Sequence, residues 1–275
     1  MSARRGSFWG ARALVAGLLV VAMLGVVSPA HAGRACDARP ITAEALVRGL
    51  QLAHATHGAL EAAHARDGTR VVLLARAGQD LSAHGLRYSH AGWAYRLPDG
   101  GWRVLHKLNT CGTAEGVLYR QGLGVFFLDD LWRHEAAWVV PAPALQAPLH
   151  AALLDGQRAV ALHEPAYNMV SYPWSTRYQQ SNQWAIELLA AALEPGIARR
   201  DQAQAWLRFK GYQPTSLRVG ALQRLGARVG TAHIAFDDHP NAQRFADRID
   251  TVTVDSVFQW MTHAGLASPP ERLVR

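Results

Sequence analysis

Apolar and polar positions along this chain follow two periods, and the switches between them mark out the elements. Over residues 41–66, Leu46, Leu50, Ala53 and Leu60 fall on one helical stripe, with Thr42 placed to cap the start and Asp67-Gly68 to stop it. Residues 69–76 form an apolar, β-branched run that reads as a buried strand. Two short aromatic and β-branched runs follow, Arg87-Tyr88-Ser89-His90-Ala91-Gly92-Trp93 and Trp102-Arg103-Val104-Leu105-His106-Lys107, joined by Pro98-Asp99-Gly100-Gly101. Further on, 136–140 reads as a strand, 144–154 as a helix and 158–162 as another strand. A helix opening at Ser181 or Asn182 carries Trp184, Ile186, Leu188, Leu189 and Leu193 and ends at Glu194-Pro195-Gly196. The last third reads as four helices, over 198–210, 214–226, 240–249 and 254–265.

The turn between the two aromatic runs fixes a register. Pro98 presets φ for a type I turn and Gly100 can take the left-handed conformation, which makes a three-residue loop with a bulge. Leu97 then faces Gly101, Gly92 faces His106 and His90 faces Leu108. Side chains alternate with period 2, so His90 and His106 are expected on one side, as diagonal neighbours roughly 7–8 Å apart. Gly92, lacking a side chain, leaves room beside His106. A loop one residue shorter or longer would send one histidine to the other face.

The N-terminus adds a compartment. Arg4, Arg5 and Arg12, an apolar run over 13–27 and Ala30-His31-Ala32 read as a secretory signal peptide over 1–32, cleaved near Ala32. An uncleaved anchor is the rival reading, but the run is short for a membrane span. The expectation is a periplasmic or secreted protein with no stable membrane span after cleavage, and a single domain over 33–275. Losing three arginines lowers the formal charge from +7 to +4. Without a basic block or an aromatic-basic ribbon the chain gives no sign of binding nucleic acid, and at most a weak preference for an anionic envelope surface. Cys36 and Cys111 both survive cleavage. In an oxidising compartment an isolated pair is most simply a disulfide, with a nucleophilic Cys111 or two unrelated thiols as alternatives.

Several residues then stand out for their chemistry. His54, His57, Glu61 and His64 line one side of the first helix, but span more than two turns and cannot converge on one ion, so a polar helix face is preferred over a metal site. No metal or cofactor is expected. Asp129-Asp130 reads as a solvated turn, His134-Glu135 lacks the second histidine of a zinc-protease motif, and Asp237-Asp238-His239 reads as a polar helix start. Ser181 sits where backbone N–H groups lack intrahelical partners, a position suited to an N-cap or to a nucleophile, with the cap favoured.

The order of these motifs carries a resemblance. Ser89-His90-Ala91-Gly92, a second strand with His106, and a later Tyr178-x-x-Ser181-Asn182-Gln183 opening an apolar helix resemble the circularly permuted papain-like hydrolases, which include NlpC-type peptidases, YiiX-like proteins and lecithin–retinol acyltransferase. The tracts Asn109-Thr110-Cys111 and 172–184 look like the bacterial domain of unknown function 2145 family, over essentially the whole mature chain. That resemblance implies an α+β fold, a permuted papain-like antiparallel sheet packed against helices, with its core over about 69–194 and a helical extension over about 198–265. It implies an amide or ester hydrolase or acyltransferase of the cell envelope, with His90 as base, His106 orienting it and Ser181 in the nucleophile position. Tyr178, Asn182, Gln183 and Trp174 would contact a peptide, glycan or lipid substrate. Ser181 departs from the family pattern, which has cysteine there, so the alternative is an inactive envelope binding protein using the same cleft.

Overall fold

The computed structural model describes residues 40–129, 131–230 and 232–275; the expected signal peptide and Cys36 lie outside the described residues. Helix α1 (Ala43–Asp67) starts at Thr42, whose side chain accepts from the Ala45 amide, and stops at Gly68 in the left-handed region. Strand β1 (Val71–Ala77) then pairs antiparallel with β2 (His90–Arg96), which pairs with β3 (Trp102–Asn109) and onward to β4 (Gly116–Gly122). Helix α2 (Leu123–Phe127) leads into β5 (Arg133–Val139), on the other side of β1. Helices α3 (Pro143–Leu154), α4 (Gly156–Val160), α5 (Ser181–Leu193) and α6 (Arg200–Phe209) follow. A small antiparallel ribbon of β6 (Thr215–Arg218) and β7 (Arg248–Thr251) encloses α7 (Ala221–Gly230) and α8 (Asn241–Phe245) in sequence. Helix α9 (Val254–His263) and strand β8 (Glu271–Val274) close the chain, and β8 pairs with β5.

The six strands lie in the order β4-β3-β2-β1-β5-β8, all neighbours antiparallel, and the fold is α+β. Both faces of this sheet are covered. Val71, Leu73 and Ala75 of β1, Trp93 and Tyr95 of β2 and Leu105 of β3 pack with Trp184, Leu188 and Leu189 of α5 and with residues of α3 and α9. The alternate residues Val72, Leu74, Ala94 and Val104 pack with Leu52 and Leu60 of α1 and Phe126 and Phe127 of α2. Burial on two sides is why β1 is buried at every position and reads as an unbroken apolar run.

Three sequence expectations are corrected. Residues 158–162 lie at a helix end, because Asp155 caps α4 through the Gln157 and Arg158 amides and holds the chain in a turn. Residues 214–226 begin as β6 before α7, and 240–249 hold the short α8 followed by the start of β7, so the extension contains a strand pair as well as helices. Strands β4 and β8 were not legible: β4 lies in a glycine-punctuated stretch and β8 is four residues long.

Candidate functional site

The hairpin has the expected register. Trp93 faces Leu105, Ala94 faces Val104, Tyr95 faces Arg103 and Arg96 faces Trp102, while the Leu97 amide donates to Gly101 O at 2.7 Å and Gly100 has φ 93°. His90 Nε2 and His106 Nδ1 therefore meet at 2.8 Å, and His106 Nε2 reaches Gln121 Oε1 at 3.0 Å. With the Gln121 oxygen accepting, His106 carries its proton on Nε2 and accepts at Nδ1 from His90 Nε2–H. The free lone pair of the series is then His90 Nδ1. Gly92 is required here: a Cβ would stand 2.7 Å from His106 Cβ and 2.8 Å from Val104 Cγ1.

Both rings are held neutral. Burial, then the nearby Arg76 guanidinium, pushes His106 down to about 3, and burial with Arg76 and His106 sets His90 well below its ordinary value. Arg76 donates to Phe126 O and pairs with Asp129. Asp129 is thus an ion-pair partner rather than a solvated turn residue, while Asp130 lies outside the described residues. Phe126 packs edge-on against His106 with centroids 5.3 Å apart. Along α1, Glu61 accepts from Arg96 and Trp102, bonds that hold it at about 2, and His64 bonds Thr69 O.

The structure does not bring Ser181 to this pair. His90 and His106 project toward α1 and α2, whereas α5 covers the opposite face of the sheet. One position on from each histidine, Ala91 and Lys107 face the α5 side, as Trp93, Tyr95 and Leu105 do. Among the described residues the sole partner of Ser181 Oγ is the Tyr167 hydroxyl at 3.4 Å. The α5 cap is also one residue earlier than expected: Gln180 is the N-cap, accepting from the Asn182 amide, and Ser181 is the first helical residue. The His90–His106–Ser181 constellation is corrected to a histidine pair on one face and a buried serine on the other.

The polar tract before α5 forms a network. Glu187, fully buried, accepts from Gln179 Nε2 at 2.5 Å, Arg200 Nε at 2.8 Å, Gln204 Nε2 at 2.9 Å and Gln183 Nε2 at 3.3 Å. Arg200 in turn donates to the carbonyls of Thr176 and Tyr178. Asn182 Oδ1 accepts from the Ala91 amide at 3.1 Å and its Nδ2 donates to Val252 O, which pins the first turn of α5 to β2. Of the expected substrate contacts, Asn182 and Gln183 are buried structural groups, and Tyr178 reaches Asp237 at 3.5 Å. Trp174 alone lines a cavity, of about 400 Å³, with Arg208, Tyr212, Ser216, Arg248 and Asp250.

Lys107 was not singled out by sequence reasoning. Its ammonium donates to Glu164 O at 2.5 Å and Gln179 Oε1 at 2.9 Å, and burial pushes it down to about 7. The one sequence signal was its rarity, since the chain outside the leader has only Lys107 and Lys210.

A family model described as an uncharacterized protein conserved in bacteria (DUF2145) matches residues 63–261. The chain belongs to this family. No curated protein and no solved structure matches it. The span matched by the DUF2145 family holds the histidine hairpin, the Glu187 network and the β6–β7 ribbon, and leaves out β8 and most of α1. Cys111 also lies within it.

Proposed function

We propose that this DUF2145 protein is exported and acts in the cell envelope as a binding protein, with no hydrolase chemistry at Ser181. The observation that carries the reading is the sheet standing between Ser181 and the two histidines. A serine hydroxyl attacks only when a base is aligned on it and donors await the oxyanion. Tyr167, the partner of Ser181, is raised above its ordinary value by burial, so it stays protonated and is no base. Export rests on the leader pattern over 1–32, and a Cys36–Cys111 disulfide suits the same compartment. Mass spectrometry of the mature protein under non-reducing conditions tests that pairing; two alkylatable thiols would exclude it.

A second reading draws on Lys107, an amine titrating near neutrality on the same face as Ser181, with Nζ 5.9 Å from the Tyr167 ring centre. In it, Ser181 is the nucleophile of an amide or ester hydrolase or acyltransferase and Lys107 supplies the base. A fluorophosphonate probe separates the two. No labelling of Ser181 is expected; labelling that disappears in Lys107→Met would replace the binding reading with the second.

A further inference from the structure

The cavity beside Trp174 lies against one face of the β6–β7 ribbon. In the ribbon Ser216 faces Asp250 and Arg218 faces Arg248, so these four side chains share the outward face, while Leu217 and Ile249 point into a small core with Ile234 and Phe236. Arg218 and Arg248 are exposed and directly opposed across the two strands. Like charges at directly facing positions destabilise a ribbon. Neither arginine has a carboxylate or hydrogen-bond partner among the described residues. The opposite wall supplies a third guanidinium, Arg208, stacked 4.5 Å from the Trp174 ring centre, with its N–H fork likewise unpaired among the described residues. The one carboxylate in the lining, Asp250, already accepts from Gln243 Nε2 at 2.6 Å.

Arg208 and Arg248 line the cavity with one engaged carboxylate, and Arg218, outside the lining, adds its charge from across the ribbon; this makes an anion site, and the planar forks match the oxygens of a phosphoryl group in bidentate fashion. We propose that this cavity binds a phosphoryl group, a proposal that rests on the binding reading above and names its ligand class. The bound anion relieves the repulsion between Arg218 and Arg248, the feature of the ribbon that folding alone leaves uncompensated. Two sources offer that chemistry, a soluble phosphate and a lipid headgroup. The second is suggested by Leu222 and Leu225, which follow Arg218 in the chain, and Phe245, which precedes Arg248; they are 85%, 61% and 83% exposed.

The test uses protein purified from cells expressing the full chain, titrated with inorganic phosphate and, separately, sedimented with vesicles of phosphatidylglycerol or of phosphatidylcholine alone. Binding to phosphate or selectively to phosphatidylglycerol vesicles is expected, weakened about tenfold or more in Arg248→Ala and in Arg218→Ala. Phosphate binding without vesicle binding assigns a soluble ligand, and phosphate-competed vesicle binding assigns a lipid. Arg248→Lys keeps the charge and loses the fork, and is expected to bind between wild type and Arg248→Ala. No binding in either arm, or binding unchanged in both alanine variants, overturns the proposal. That failure leaves the envelope-binding reading standing, whereas labelling of Ser181 by the fluorophosphonate removes the latter whatever the phosphate result.

Discussion

Gly92 is where a single residue decides whether the hairpin closes. The 2.7 and 2.8 Å approaches to His106 Cβ and Val104 Cγ1 come from β-carbon and branched atoms that cannot swing away, so Gly92→Ala is overpacked. The expected cost is about 1–3 kcal/mol, read as a lower urea midpoint with an unchanged m-value. The histidines beside it set a pH dependence. Both have folded values below the unfolded value near 6.5, so the unfolded chain takes up protons that the native state refuses. Both contributions are fully present above about pH 6.5 and are lost at lower pH, that of His106 as the pH falls toward about 3, with a slope approaching about 1.4 kcal/mol per pH unit for each group. His106→Gln is expected to flatten the stability profile between about pH 6.5 and 5 by up to one proton, and an unchanged slope would show that His106 is not buried neutral. This part of the site was legible because turn chemistry sets register and register sets facing. What lay beyond reach was which layer of helices each face meets, since α5 packs on the hairpin from far along the chain, starting at Ser181 where the hairpin ends at Asn109.

At the scale of elements, the tract before α5 is held by one buried carboxylate. Glu187 collects donors from α5, α6 and the preceding loop, and Arg200 is 8% exposed beside it. Glu187→Ala leaves that guanidinium buried without its counter-charge, and the expected loss is about 3–5 kcal/mol in chemical denaturation. A loss under about 1 kcal/mol would place Arg200 in solvent instead. The tract's glutamines and arginine were visible in the sequence, but their role was not. A run such as Gln179-Gln180-Ser181-Asn182-Gln183 has the same composition whether it greets a substrate or ties a loop to a helix. The misread elements share a cause too. Residues 215–218 become a strand only through pairing with 248–251, and Pro214-Thr215 looks locally like a helix start. Gly116 in β4 reads as a loop residue, yet it is glycine because Lys107 Cε would stand 2.4 Å from a Cβ there.

For the whole molecule, a sheet covered on both faces leaves its vulnerability at the edges. β5 is seven residues long, and its segment 135–139 is buried throughout. Among the described residues its outer hydrogen-bonding side is closed by β8 alone, through the pairs Glu135–Val274, Ala136–Leu273, Ala137–Arg272 and Trp138–Glu271. The segment before β8 is anchored independently, by the Ser268 amide donating to Val140 O and Ser268 Oγ accepting from the Val140 amide. Ending the chain after Pro269 therefore removes the covering strand while keeping its anchor. The interior of the sheet, with α1 on one face and α5 on the other, stays intact, so the truncated protein is expected to fold. Its β5 edge then offers unpaired amides and carbonyls along an apolar strand, a template for pairing with another copy. Size-exclusion chromatography with light scattering is expected to show concentration-dependent association that the full chain lacks. A truncated chain that stays monodisperse at high concentration would mean that something other than β8 protects β5.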